Sequence, residues 1–289
     1  MADKKNILVT GANGQLGMEF RLLEKSFPHY QFLFVAKEEL DICNAGEVSA
    51  FFKNNEIAVC INCAAYTLVD KAETQKDLAY AVNATAAATL AVECAKAGTL
   101  LFHISTDYVF AGNGTVPYKE TDPTHPINIY AASKLAGEEF VRKYCKNAII
   151  IRASWVYSRY GNNFVKTMRR LMSEKKELGI VADQLGCPTY AADLAAAVMH
   201  IISMPLPLAG TYHYCNQGVI SWYDFALAIK QITHSDCELH PIVTFAYPTP
   251  ALRPHYSALD TSALRQTFGI EIPGWKESLQ ICLAALQAS

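Results

Sequence analysis

The sequence predicts an α/β fold, a Rossmann-like doubly wound parallel sheet with a smaller α/β substrate-binding domain attached. Three observations predict it. Short β-rich apolar runs recur at 6–10, 31–35, 57–62, 100–104 and 148–151, as strands buried on both faces do. Helical stretches fall between them, the rhythm of a parallel sheet. The first run opens directly into Gly11-Ala12-Asn13-Gly14-Gln15-Leu16-Gly17. Strand, glycine turn and helix in that order make a phosphate site.

Composition narrows the partners. The 289 residues are 51% hydrophobic and 18% charged, with a net charge of -2. That length suits one large domain or two closely packed ones. No basic block occurs, so neither nucleic acid nor an anionic membrane is an expected partner. Apolar runs such as 194–199 fall short of the roughly 18 residues a spanning helix needs. Residues 1–6 lead into the first strand without a signal-peptide apolar core. Nine irregularly spaced Cys suit buried thiols in a reducing compartment, so a cytoplasmic location is expected. Cys60-Ile61-Asn62-Cys63 lies in a strand rather than at a helix start, which argues against a redox role. No His/Cys/Asp cluster has zinc spacing, and no metal is expected.

In the glycine loop, Gly11 permits the tight turn, Gly14 lets backbone approach a pyrophosphate, and Gly17 lets the helix pack on the strand. The helix N-terminus offers N–H groups to the anion. The spacing is one residue longer than the usual dinucleotide fingerprint. The second strand ends Val35-Ala36-Lys37, with no acid at the tip where a ribose 2′-hydroxyl is usually held. Lys37 either meets a 2′-phosphate, favouring NADPH over NADH, or is a solvated loop charge. Asn44 caps a helix over 47–54. The third strand runs into Ala64, Ala65 and Tyr66, where small residues let a flat ligand lie against backbone. An Ala-rich helix over 78–98 closes on Gly98. The fourth strand ends in Ser105-Thr106-Asp107, polar groups at the carboxyl edge where ligands bind in such sheets. Residues 110–128 form a loop over that edge.

A helix over 130–145 and the strand 148–151 complete the set. On that helix Tyr130 and Lys134 share one face, a turn apart. Tyr ordinarily titrates near ~10, and a cation one turn away pulls that value down. The pair reads as a proton-transfer device, although the same spacing decorates ordinary surface helices.

After Arg152 the character changes. Residues 1–152 are assigned to dinucleotide binding, with a segment near 190–220 returning to the sheet, and 153–289 mainly to substrate binding. Helices are expected over 164–176 and 190–203, followed by a Pro-rich break at 204–207. Ser221 and Asp224 open a capped helix to 233. Residues 241–254, with four Pro, form an extended connector before short helices at 261–268 and 275–287. No low-complexity linker separates the two parts.

Gly11-x-x-Gly14-x-x-Gly17, Ser105-Thr106-Asp107-Tyr108-Val109-Phe110 and Tyr130-x-x-x-Lys134 together resemble the extended short-chain dehydrogenase/reductases. Within them, Ser154-Trp155-Val156-Tyr157, Asp183-Gln184-x-Gly186-x-Pro188-Thr189 and Ala251-x-Arg253-Pro254 resemble the dTDP-4-dehydrorhamnose reductase family, nearly end to end. The resemblance implies NAD(P)H-dependent reduction of the C4 keto group of dTDP-6-deoxy-L-lyxo-4-hexulose. Tyr130 would give the proton, Lys134 would lower the Tyr130 pKa and hold the nicotinamide ribose, and Thr106 would hydrogen-bond the carbonyl or Tyr130. Asp107, Trp155 and Arg253 would meet the dTDP-sugar. Gly14, Gln15 and Leu16 would approach the pyrophosphate, Asp41 and Ile42 the adenine, and Ala64, Ala65 and Tyr66 the nicotinamide. It also allows a homodimer, bridged by metal in some members. Glu19 matches one bridging position, but Ala192 and Lys276 replace the others, so no metal bridge is expected. The alternatives are a reductase or epimerase of another nucleotide-linked sugar, and a non-catalytic regulatory subunit such as those of methionine adenosyltransferase.

Overall fold

A computed structural model describes residues 4–205 and 207–287. The reading of residues 1–3 as part of a leader-free start, and of Leu206 in the Pro-rich break, lies outside the described residues.

Six strands form the central sheet: β1 (Lys5–Thr10), β2 (Tyr30–Val35), β3 (Ile57–Asn62), β4 (Leu100–Thr106), β5 (Ala148–Ala153) and an edge strand, Gly210–Tyr214. All pair in parallel, in the order edge strand, β5, β4, β3, β1, β2. The chain steps from β1 outward to β2, then passes back across β1 to β3. That reversal opens a crevice at the carboxyl ends of β1 and β3.

Alternate side chains enter two helical layers. Ile7, Val9, Phe102 and Ile149 pack with the helices Gln15–Leu23, Ala191–Ile202 and Ser262–Phe268. Leu8, Cys60, Leu101 and Ile150 pack with Ala45–Asn54, Ala86–Ala97 and Ile129–Tyr144. Residues 191–214 thus add a helix and the edge strand to the sheet. The helix Ser262–Phe268, read from sequence only as part of the tail, also covers this layer.

The helical run Lys76–Ala97 is long and apolar enough, by length and composition, to cross a membrane. This corrects the expectation that every apolar run is too short. Alanine carries its hydropathy, and half of the scored window is buried. It packs on the sheet and on Ile129–Tyr144 as a layer of the fold. A π-helical turn, Ala81–Thr85, interrupts it.

A second core gathers Tyr157, Phe225, Trp275 and Leu279 between the helices Phe164–Glu174, Trp222–Thr233 and Trp275–Gln287. Strands Glu177–Val181 and Glu238–Ile242 pair in parallel beside it. The 241–254 connector therefore begins later than expected, because Pro241 lies inside a strand. Among the described residues that strand has one neighbour, so its other edge needs no ladder donor from proline.

The helix Ile129–Tyr144 is seated by a buried carboxylate. Glu138 accepts from Ser105 of β4, from Arg142 on its own helix, and from Arg152 of β5 through Nε at 3.0 Å and Nη2 at 2.8 Å. Burial alone would raise its pKa, but Arg152, Ser105 and Arg142 outweigh burial and hold it below the usual range. A charge this deep is tolerated only when paired. Glu138→Gln leaves the Arg152 guanidinium without a counter-charge and should cost about 3–5 kcal/mol. Thermal denaturation reads this as a lowered midpoint; an unchanged midpoint contradicts the seating role.

Candidate active site

The crevice is built from close backbone contact. Gly11 has φ +64°, and a Cβ there would lie 2.7 Å from the Ala64 Cα. The loops after β1 and β3 therefore touch. A Cβ on Gly17 would lie 2.6 Å from the Gly11 carbonyl oxygen, so the nine-residue helix Gln15–Leu23 sits tightly on the loop. Gly14 is its N-cap and supplies no side-chain cap. The first-turn N–H groups at the positive end of that helix suit a pyrophosphate. Leu16 is buried in the core, which leaves its backbone for a ligand. The Gln15 amide joins the two lobes, donating to the Val156 carbonyl and accepting from Asn163 Nδ2 at 2.9 Å. These residues fit a dinucleotide.

The tip of β2 differs from the sequence reading. A turn, with Glu39 N–H donating to the Ala36 carbonyl, folds the Glu39 carboxylate back to accept from the Ala36 N–H at 2.7 Å. An acid does stand at the tip, delivered from three residues onward. Lys37 is exposed beside it. Asp41 accepts from the Cys43 N–H, and Ile42 is buried in the core.

Beyond β3, Ala64 and Ala65 are half-buried and Tyr66 is buried. Asn83, which the sequence reading missed, holds both sides of Tyr66: its Oδ1 accepts from the Tyr66 N–H at 2.8 Å and its Nδ2 donates to the Tyr66 carbonyl. Nδ2 also donates to Ser133 Oγ, which donates to the Tyr130 carbonyl. The π-helical turn carries Asn83 to this position. A single Asn in an Ala-rich helix was the available signal. A polar row, Thr10, Asn62 and His103, crosses the sheet at the same level.

Asn128 caps the helix Ile129–Tyr144 by accepting from the Ala131 N–H. This puts Tyr130 in the first turn, with the Thr106 hydroxyl against its phenol. The Tyr108 ring meets Tyr130 edge-on at 6.1 Å. Lys134 is buried, and its Nζ donates to the Ile104 carbonyl at 2.6 Å. The expectation that Lys134 lowers the Tyr130 pKa is corrected. Burial pushes the phenol up to about 12, Thr106 pulls it back, and the Asp107 carboxylate adds to the rise. A buried ammonium needs an acceptor, and the strand carbonyl supplies one. Burial brings Lys134 down to about 8, against a raising effect of Glu138.

Asp107 is buried. Its Oδ1 accepts from Thr106 Oγ1 at 3.1 Å, and its Oδ2 has no partner among the described residues. Burial pushes its carboxyl up to about 7, with the Ser257 and Thr106 hydroxyls opposing. Trp155 follows β5 and is half-buried against Trp222. Arg253 is not a free cation: its Nη1 and Nη2 donate to both oxygens of Asp70, at 2.9 and 2.8 Å. Arg253 in turn holds Asp70 below the usual carboxylate range. The Leu252 carbonyl accepts from Asn128, so this strap also grips the cap of the Tyr130 helix. Among the described residues, no group of three or more His, Cys, Asp or Glu has metal-holding geometry. Glu19 is buried and accepts from Ser158 Oγ at 2.6 Å.

A glycine-loop crevice with a Tyr-x-x-x-Lys helix beside it, on a doubly wound parallel sheet, defines the extended short-chain dehydrogenase/reductase class. A family model described as RmlD substrate binding domain matches residues 5–288, and the chain belongs to that family. A Bacillus subtilis relative named spore coat polysaccharide biosynthesis protein SpsK is 42% identical over 275 residues, 95% of each chain. A Sinorhizobium fredii protein named dTDP-4-dehydrorhamnose reductase is 41% identical over 97% of each. The crystal structure of dTDP-4-dehydrorhamnose reductase from Bacillus anthracis in complex with NADP is similar with a TM-score of 0.94 and 41% identity, covering 98% of this chain and 100% of that one.

The raised Asp107 carboxyl has a consequence for stability. Unfolded, it titrates near its ordinary 3.8; folded, near about 7. The folded state holds the extra proton between those values, so stability falls as pH rises through the window. Asp107→Asn has no charge to bury. Its thermal midpoint relative to wild type should climb from about pH 4 to about pH 7 and then level off. A difference that stays flat with pH contradicts the assignment.

Proposed function

We infer that this chain reduces the C4 keto group of dTDP-6-deoxy-L-lyxo-4-hexulose with NAD(P)H, giving dTDP-L-rhamnose. The observation that carries this reading is the Tyr130 phenol, with Thr106 and Lys134 beside it, at a crevice fit for a dinucleotide, in a chain 38% and 41% identical, over 97% of its length, to two named dTDP-4-dehydrorhamnose reductases. When bound, the reduced nicotinamide supplies hydride to C4. The loop Gly11–Gly17 holds the pyrophosphate through backbone N–H groups. Tyr130 gives its proton to the C4 oxygen; with a pKa of about 12 it is in the acid form at neutral pH. Thr106 orients that oxygen by a second hydrogen bond. Lys134, one turn away and held on the Ile104 carbonyl, is suited to hold the nicotinamide ribose through its ammonium, and Glu138 favours its charged form. The buried Oδ2 of Asp107, unpartnered among the described residues, is the acceptor left for a sugar hydroxyl, and Trp155 lines the sugar side. Arg253 serves through the strap it anchors on Asp70.

Glu39 at the β2 tip suits a ribose 2′-hydroxyl and Lys37 a 2′-phosphate, so both NADH and NADPH are expected to serve. The intact Thr106, Tyr130 and Lys134 set favours catalysis over a regulatory subunit. Purified protein mixed with the dTDP-4-keto-6-deoxy-L-sugar should consume either reduced nicotinamide, read as absorbance loss, and yield dTDP-L-rhamnose. No turnover with either cofactor would overturn the proposal in favour of the regulatory reading.

A further inference from the structure

Trp155 is one of two non-glycine residues with positive φ among the described residues, at +47°. The other, His234, simply ends a helix. An indole held in the left-handed region costs backbone strain and persists only where its surroundings fix it. Three contacts do so here. Thr189 N–H donates to the Trp155 carbonyl at 3.2 Å. Gly186 lies against the indole edge, where a Cβ would come within 2.6 Å of Cε2. Trp222 stacks on the ring, centroid to centroid at 3.5 Å and 10° between planes.

Trp222 is itself firmly held. It begins the helix Trp222–Thr233, whose capping box joins Ser221 and Asp224. Ile220 and Ser221 pair with Gly186 and Leu185, and the Phe164 ring packs at 4.6 Å. The same Gly186 position would also crowd Ser257 Oγ, at 2.9 Å, and Ser257 opposes the raised Asp107. Ser257 and Trp155 therefore both lie against Gly186. One face of the Trp155 indole is taken by Trp222 and an edge lies on Gly186, and the side chain remains half-buried.

We propose that Trp222 is a positioning residue for the sugar subsite, setting the plane of the Trp155 indole that receives the apolar face of the deoxysugar. This rests on the nucleotide-sugar reading above. Trp222 does not touch the reacting atoms; it acts through Trp155. Its loss should therefore weaken sugar binding and leave the chemical step nearly intact.

The test uses the whole chain. Trp222→Leu keeps apolar bulk but removes the flat surface. It should raise KM for the dTDP-4-keto sugar about tenfold, the scale of one aromatic contact, with kcat within about twofold and NADPH affinity unchanged. Trp222→Phe restores a flat ring and should bring KM back to within about threefold of wild type. A solution readout needs neither turnover nor a surviving variant. Stacked indoles couple in circular dichroism, so wild type should show an exciton couplet that changes on adding dTDP-L-rhamnose and not on adding NADP alone. An unchanged KM in Trp222→Leu, a joint loss of kcat and NADPH affinity, or a couplet indifferent to dTDP-L-rhamnose overturns the proposal. If wild type turns over but Trp222→Leu keeps its KM, only this inference falls. If wild type never turns over the keto sugar, the function reading falls, and the couplet still reports on the subsite.

Discussion

The site depends on one buried carboxylate. Glu138 ties the Ile129–Tyr144 helix to β4 through Ser105 and to β5 through Arg152. β4 ends in Thr106 and leads into Asp107, and β5 leads to Trp155. One side chain therefore fixes the register between the helix that brings Tyr130 and Lys134 and the strands that bring their partners. A hydrophobic contact would hold the helix against the sheet without choosing a register so sharply; a paired carboxylate with a short list of donors does choose one. Whether such a pair adds net stability is a separate matter, because desolvation offsets much of its Coulombic attraction.

The electrostatics near the phenol are set more by burial than by the neighbouring cation. Tyr130 is raised, Lys134 lowered and Asp107 raised, each in the direction that disfavours a charge taken out of water. A phenol kept protonated suits a proton donor to a reduced carbonyl. The Glu138 carboxylate, one turn beyond Lys134, opposes the loss of its charge. The same residue that seats the helix thus favours the charged form of its lysine.

Much of this was legible in the sequence because it is local. The glycine loop, the tips of β3 and β4, the Asn44 and Ser221 caps and the i, i+4 pair of Tyr130 and Lys134 are each written within a few residues. What escaped are pairings made across the fold. Lys134 meets Ile104, Arg253 meets Asp70 and Trp155 meets Trp222 through tertiary approach that no periodicity encodes. Asn83 reaches Tyr66 because a helix widens by one π turn, and Glu39 reaches the β2 tip because a turn folds it back. The parallel pair Glu177–Val181 and Glu238–Ile242 escaped for the same reason, since its partners are distant in sequence and one contains Pro241.

The central claim is that the Tyr130 hydroxyl, and not merely the ring, carries the proton. Turnover of Tyr130→Phe beside wild type tests it most directly, with NADPH affinity measured by fluorescence on the same samples. Loss of a positioned general acid predicts a fall in kcat of roughly 10²–10⁴-fold, with NADPH affinity nearly unchanged. Turnover that survives at the wild-type rate would contradict the assignment of Tyr130 as the proton donor.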